Sequence, residues 1–270
     1  MLLDEERWAG ARKADPAAGP SAGSAGSRRR RMSAGLASPG RAFWALVAVL
    51  IVLDALWLAA AGIRLAVPGL LAVSGAVAVL LGLALLFSAV RPEPKLRAMA
   101  LSSAYLAAFT TAAALLHYLS ATLALPLADP ALARVEAVLG FDWRGWVGFL
   151  ADHPDLSWPL ALVYHSSGPQ VGLVVIALSA VSRVARLWSY VRLFTLALLA
   201  SIAVSALFPA VGPYAHYAPQ IHPQGHLETV GALWHLDALR ALRDGTLPVI
   251  ALSEIRGLVT FPSFPACLAV

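Results

Sequence analysis

The residues best suited to chemistry lie near the carboxyl end of the chain, where Pro262 and Ser263 precede an apolar segment. Serine is a favoured N-cap residue, and the free backbone N–H groups and dipole of a helix N-terminus attract anions. Upstream, Arg240 and Arg243 are three residues apart, so a helix presents both on one face. A guanidinium fork matches phosphate oxygens. We therefore predict an anion site with Ser263, Arg243 and Arg240 as substrate-binding residues, although a solvated helix also carries such arginines for solubility alone.

The histidines between these elements raise the question of a metal. His222 and His226 have an i, i+4 spacing, but Pro223 and Gly225 stand between them and disfavour a helix. We expect no metal and no cofactor. The single cysteine, Cys267, excludes an intrachain disulfide and is expected to be a buried, inert thiol.

Composition indicates an integral membrane protein. Of the 270 residues, 59% are hydrophobic and only 13% are charged, and the mean hydropathy is +0.73. These values exclude an ordinary soluble domain. The net charge of +5 does not indicate nucleic-acid binding, because the arginines cluster where the positive-inside rule places them. The abundance of alanine and arginine is typical of GC-rich bacterial genomes.

The predicted fold is all-α, a polytopic transmembrane helix bundle with five full spans plus a truncated sixth. A helix rises about 1.5 Å per residue, so about 20 apolar residues cross a hydrocarbon core of about 30 Å. The predicted spans are residues 43–63, 70–90, 98–125, 158–181 and 193–211. The last apolar segment, 257–270, is too short to cross, so we expect a chain that stops at the start of its sixth span.

The chain divides into three predicted regions. Residues 1–42 are rich in Ala, Gly, Ser, Pro and Arg, which predicts a disordered basic tail. Residues 43–97 form two N-terminal transmembrane helices, and residues 98–270 form the membrane domain that carries the anion site. Within it, residues 126–155 contain a short helical segment and an amphipathic, aromatic stretch that lies at the membrane interface.

Basic residues predict the orientation. Fourteen of the twenty Lys and Arg residues fall on one side of the predicted spans, together with the amino terminus. That side is cytoplasmic by the positive-inside rule, which places residues 126–155 and 212–256 on the extracytoplasmic face. The run Arg28–Arg31 either fixes this orientation or binds anionic lipid headgroups.

Several polar residues lie inside the predicted spans. Asp54 is expected to face other helices rather than lipid, as a hydrogen-bonded packing residue or a proton relay. Tyr105 and His117 are expected to form interhelical hydrogen bonds or to anchor the span at the interface. Residues 164–169 form a polar patch in the fourth span, in which either His165 contacts a headgroup or Pro169 kinks the helix.

Three stretches resemble a known family. The run Phe261–Phe264 (Phe-Pro-Ser-Phe), followed by small and apolar residues, is similar to the middle signature of the type 2 phosphatidic acid phosphatase superfamily, in its inositolphosphorylceramide-synthase-like (inositolphosphotransferase) branch. Residues 139–143 (Leu-Gly-Phe-Asp-Trp) and 208–217, rich in proline and aromatics, resemble elements that precede this signature. The resemblance covers roughly residues 100–270 and implies lipid phosphates as partners, at the extracytoplasmic face of the cell membrane.

The resemblance also implies a mechanism. In the family a histidine attacks phosphorus without a metal, and a second histidine, in the middle signature, protonates the leaving group. This chain has Pro265 in the second position, and proline holds no titratable proton. The superfamily's first signature, Lys-x6-Arg-Pro, is absent. The block with the nucleophilic histidine and its aspartate is expected beyond Val270, so we predict no catalytic residue within residues 1–270 and an inactive chain. A non-catalytic protein that binds lipid or phosphate is the alternative.

Overall fold

The computed structural model describes residues 40–217, 233, 235–255, 257–258 and 261–269. The predicted basic tail before Gly40 lies outside the described residues, as do His222 and His226. The described helices, in chain order, are α1 (Arg41–Ala61), α2 (Val67–Ala89), α3 (Pro94–Ser120), α4 (Asp129–Val138), α5 (Trp143–Asp152), α6 (Pro154–Ala180), α7 (Val184–Leu207), α8 (Pro213–Tyr217), α9 (Leu236–Arg243) and α10 (Phe264–Ala269).

Five of these helices, α1, α2, α3, α6 and α7, are long and apolar enough to cross a membrane. The protein is therefore an all-α polytopic bundle, as predicted. The expected start of the fifth span was wrong by nine residues, because α7 begins at Val184 instead of Leu193. Hydrophobicity predicts only the part of a helix that lies in lipid. The helix itself begins earlier and includes Arg186 and Arg192, which precede the apolar part. Its end at Leu207 is earlier than predicted, since Pro209 follows and supplies no backbone N–H.

Helix α3 is the centre of the bundle and contacts α1, α2, α6 and α7. Half of its span is buried within the protein, more than in any of the other four spans. Tyr105 is fully buried, with its ring edge-on to Phe43 and Trp44 and stacked on Phe109 at 5.7 Å. Aromatic burial of this kind supplies much of the packing of a helix pair.

Polar side chains join α3 to α7, as predicted for Tyr105 and His117. The Tyr105 hydroxyl lies 3.1 Å from Thr195 Oγ1, and His117 Nε2 lies 3.1 Å from Ser205 Oγ. Asp54, on α1, is 3% exposed and faces the protein interior, as expected. Neither of its carboxylate oxygens has a hydrogen-bond partner among the described residues.

Short connections hold one end of the bundle together. Two-residue strands β1 (Arg64–Leu65) and β2 (Val249–Ile250) pair in parallel, which ties the end of α1 to the segment after α9. A 3-10 turn, Ala121–Leu123, extends α3. Cys267 is exposed, which corrects the expectation of a buried thiol. The short helix α10 makes its main contact with α7, where Ser201 Oγ donates to the Cys267 sulfur at 3.9 Å, and the described residues leave the rest of this side chain uncovered.

Candidate functional site

The larger of two cavities near the carboxyl-terminal run has a volume of about 870 Å³ and lies among α3, α5, α6, α7 and the segments that follow α7 and α9. Its walls are mainly apolar and aromatic. Among its lining residues are Ser263 and Phe264 from the run singled out in the sequence and Pro265, which follows that run, together with His117, Trp143 and Tyr214. The cavity therefore brings the predicted Pro-Ser turn together with imidazole and aromatic side chains that are distant in sequence.

Ser263 stands immediately before α10. Its carbonyl oxygen accepts a hydrogen bond from the Cys267 N–H at 3.1 Å, the first bond of that helix. This is the backbone arrangement of an N-cap residue, which the sequence predicted. Pro265 occupies the second position of the helix. Backbone N–H groups in the first turn have no partner within the helix, so proline, which lacks this group, costs no hydrogen bond there.

Arg243 lies beside a second, smaller cavity. This cavity has a volume of about 20 Å³, close to that of a single water molecule, and its polar lining comprises His117, Ser120, Ser205 and Arg243. Arg243 donates from Nη2 to the Leu125 carbonyl at 2.9 Å. Its Nη1 is buried and has no hydrogen-bond partner in the described part of the chain. The guanidinium thus has one nitrogen available to a ligand.

Arg240 is placed differently from Arg243. The two arginines share helix α9 as predicted, but Arg240 is exposed and belongs to the lining of neither cavity. Acidic residues are absent from the described lining of both cavities. Arg243 is the charged residue in the described lining of the small cavity, whereas Arg240 lies on the surface.

His117 connects the two cavities. It is 7% exposed and, together with Leu258, contributes to the walls of both. Its Nε2 bonds Ser205 Oγ, and a hydroxyl both donates and accepts, so either tautomer of the imidazole satisfies this bond. The sequence analysis predicted His117 to form an interhelical hydrogen bond or to anchor the span at the interface, and gave it no role in a site. Its place at the extracytoplasmic end of the predicted third span was the one signal that pointed to a site.

The cavity wall at residues 211–214 is held by Asp129 and His235. Asp129 is 5% exposed, and its two carboxylate oxygens accept hydrogen bonds from the N–H groups of Val211 (2.9 Å) and Gly212 (3.0 Å). His235 Nε2 lies 3.1 Å from the Val211 carbonyl, so this nitrogen carries the proton. Sequence reasoning used Asp129 only as the start of a short helix.

Aromatic residues form the side of the cavity nearest α5. Asp142 caps this helix by accepting the Arg144 N–H at 3.1 Å. The Trp143 ring packs edge-on to Tyr214 and stacks on Tyr217, over which the Arg144 guanidinium lies at 5.2 Å. The amphipathic stretch predicted here is thus a helix of ten residues whose indole rings border the cavity.

One comparison with known proteins finds a relationship. A model of the PAP2 superfamily matches residues 130–270, just over half of the chain. The matched region includes Trp143, Arg243, Ser263 and Pro265 but not His117. Searches of the curated proteins and of the solved structures find no match.

Proposed function

The chain belongs to the PAP2 superfamily, and from this membership we propose that its large cavity binds the phosphoester headgroup of a membrane lipid. The observation that carries the proposal is the presence of Ser263 and Phe264, from the signature-like run, and of Pro265, the next residue, in the wall of one cavity of about 870 Å³. This volume falls within the range of about 300–1,000 Å³ typical of ligand pockets. The apolar walls pack against acyl chains, and the polar groups form hydrogen bonds with a headgroup.

In this proposal, Ser263 and Arg243 hold the phosphate. The Ser263 hydroxyl donates to a phosphate oxygen, and the unpartnered Nη1 of Arg243 donates to a water molecule in the adjoining small cavity, which in turn donates to another phosphate oxygen. Arg240 contributes by long-range attraction from the surface, and that attraction weakens as salt is added. The site faces the extracytoplasmic side, as the distribution of basic residues predicts.

The family's chemistry, phosphoester hydrolysis or transfer, requires a proton at the leaving oxygen. Pro265 stands in the cavity wall where the resemblance implies the proton donor, and it has no proton to give. We therefore propose a lipid-phosphate phosphatase or phosphotransferase of the inositolphosphotransferase-like branch in which Pro265 leaves little turnover, so that release of phosphate is slow but measurable. A purely non-catalytic role in lipid or phosphate binding is the second candidate, and Pro265 in the wall is the observation that favours it.

Binding of radiolabelled phosphatidic acid to the purified full chain tests the proposal. A hydrogen bond to a charged group is worth about 1.5–3 kcal/mol, so Ser263→Ala and Arg243→Gln are each expected to weaken binding about tenfold or more. Ser253→Ala is the matched control, because Ser253 is exposed and is not in the lining of either cavity. Arg240→Gln is expected to change the affinity less than threefold, and only at low salt.

Unchanged affinity in both Ser263→Ala and Arg243→Gln would exclude the proposed site. A phosphate-release assay on the same preparations separates the two candidates. Rapid release of phosphate by the unaltered chain would show an enzyme whose proton donor is not residue 265.

A further inference from the structure

The two ends of the helix bundle differ in charge. In the part of the chain that the structure describes, six exposed basic side chains lie at the end where α3 and α7 begin, and together they are called the basic end: Arg41, Arg91, Lys95, Arg97, Arg183 and Arg186. The one acidic residue described at this end is Glu93. The opposite end has five described basic residues and eight acidic ones, so its net charge has the other sign.

The basic side chains of α3 and α7 lie at the level of the lipid headgroups. Two hydrogen-bonded pairs join these helices in the same order along both, so the helices run in parallel. Arg97 lies eight residues before Tyr105. Arg186 lies nine residues before Thr195, so both arginines are about 12–14 Å from the contact between Tyr105 and Thr195. Together with its 3-10 turn, α3 has 30 residues and a length of about 45 Å. A bilayer with its headgroups is about 40–45 Å thick, so the start of α3 reaches the headgroups.

The basic residues of the connections adjoin those of the helices. Helix α3 contacts both α2 and α7, so Arg91 in the α2–α3 connection and Arg183 in the α6–α7 turn both lie next to the start of α3. The positive ends of the α3 and α7 dipoles point to this same side and add to the potential. A further transmembrane helix would pack against the sides of the spans. These side chains lie beyond the apolar part of the spans, where the neighbouring groups are lipid phosphates.

We propose that the basic end binds the headgroups of anionic glycerophospholipids in the leaflet around it, in preference to zwitterionic headgroups. A zwitterionic headgroup carries its own cation, whereas the phosphate charge of phosphatidylglycerol is uncompensated. A basic residue near the membrane surface favours an anionic lipid by about fivefold, and guanidinium groups match phosphate oxygens. This surface is separate from the cavity that we propose for a lipid phosphate, because Arg243 contacts Leu125 beyond the opposite end of α3.

Spin-labelled lipids test this selectivity, because lipids held at a protein surface give a slower spectral component than bulk lipids. The full chain is reconstituted in phosphatidylcholine vesicles with a trace of spin-labelled phosphatidylglycerol or phosphatidylcholine. We expect the phosphatidylglycerol to associate about threefold more strongly or better. A triple variant of the basic end is expected to bring this ratio close to one: Arg97→Gln, Arg183→Gln and Arg186→Gln. The matched control neutralises three exposed arginines of the opposite end and is expected to keep most of the ratio: Arg64→Gln, Arg134→Gln and Arg240→Gln.

Each outcome decides the proposal. Equal association of the two lipids with the unaltered chain would overturn it, as would a ratio that the triple variant of the basic end leaves unchanged. Salt at about 1 M shortens the Debye length to about 3 Å and is expected to remove most of the preference. This measurement uses the unaltered chain, so it decides the proposal without any variant.

A double variant separates this surface from the cavity. Ser263→Ala with Arg243→Gln removes the two residues proposed to hold a phosphate there, and the preference for phosphatidylglycerol is expected to remain. Loss of the preference in this double variant would assign it to the cavity and overturn the proposal for the basic end. Retention of the preference, together with unchanged binding of phosphatidic acid by the same double variant, would exclude the cavity site and leave the basic end in place.

Discussion

The carboxylate of Asp129 accepts a hydrogen bond from the backbone N–H of Gly212, 83 residues later in the chain, at 3.0 Å. Its other oxygen takes the neighbouring N–H of Val211. Asp129 lies in the first turn of α4, where the helix dipole favours a negative charge. The Ala128 N–H donates to the Pro209 carbonyl at 2.7 Å beside it. The start of α4 therefore fixes the segment that forms one wall of the large cavity.

We expect Asp129→Asn to destabilise the fold by about 1–3 kcal/mol, because an amide offers one acceptor oxygen and turns a donor towards the second N–H. The measurements are thermal unfolding in detergent and hydrogen exchange at Val211 and Gly212, both of which should show weaker protection. Asp237→Asn is the control, since Asp237 is exposed on α9. Equal melting temperatures for the two variants would show that this carboxylate does not hold the segment.

The contact between Tyr105 and Thr195 has a defined direction. Thr195 Oγ1 donates to the Val191 carbonyl at 2.8 Å, so the Tyr105 hydroxyl is the donor to Thr195. A double-mutant cycle with Tyr105→Phe and Thr195→Val is expected to give a coupling energy of about 0.6 kcal/mol, and at most about 1.7 kcal/mol. Unfolding in mixed micelles measures it.

A second cycle serves as the control for that pair. Thr110 lies on α3 itself, and its hydroxyl bonds the Leu106 carbonyl of its own helix. Thr110→Val combined with Tyr105→Phe is therefore expected to show a coupling energy close to zero. If both cycles give the same value, the contact between Tyr105 and Thr195 contributes nothing specific to the bundle.

Asp54 is expected to reduce the stability of the folded chain. Its carboxyl group is buried without a hydrogen bond from the described residues, and burying an unpaired polar group costs about 1–3 kcal/mol on protein scales. Asp54→Leu is expected to raise the free energy of unfolding by an amount in that range, and Asp54→Asn by less. A lower stability for Asp54→Leu would show that the carboxyl group has a partner that stabilises it, and would favour a functional role for the residue.

The spans were predictable from sequence, because hydrophobicity reports directly on which residues lipid can cover. The errors occurred where another force determines the result. Helix α7 continues through Arg186 and Arg192, because arginine is compatible with a helix outside the hydrocarbon. Cys267 was expected to be buried, but burial depends on what packs against α10, and a local pattern holds no information on that.

The site was predictable only in part. Ser263 could be proposed from sequence because an N-cap and a signature-like run are local patterns, and its role in binding stays a prediction. The roles of His117 and Asp129 depend on partners 82 to 88 residues away, and one sequence shows no such pairing. Arg240 and Arg243 looked equivalent because their spacing is that of one helical face. The structure distinguishes them, because the Arg243 guanidinium donates a hydrogen bond to the Leu125 carbonyl, just after the 3-10 turn that extends α3.

Pro265 is the residue whose replacement should change the chemistry most. It occupies the second position of α10 and lines the large cavity with Ser263, so a histidine there adds an imidazole to the cavity without removing a helical hydrogen bond. The experiment compares membranes that carry the unaltered protein with membranes that carry the Pro265→His variant. Under these conditions Pro265→His should increase phosphate release from phosphatidic acid by about 100- to 10,000-fold, the usual contribution of a general acid.

Pro265→Ala is the control, because it removes the ring and supplies no proton. Comparable rates for the alanine and histidine variants would mean that the leaving group receives its proton from elsewhere, and His117 would be the next residue to replace.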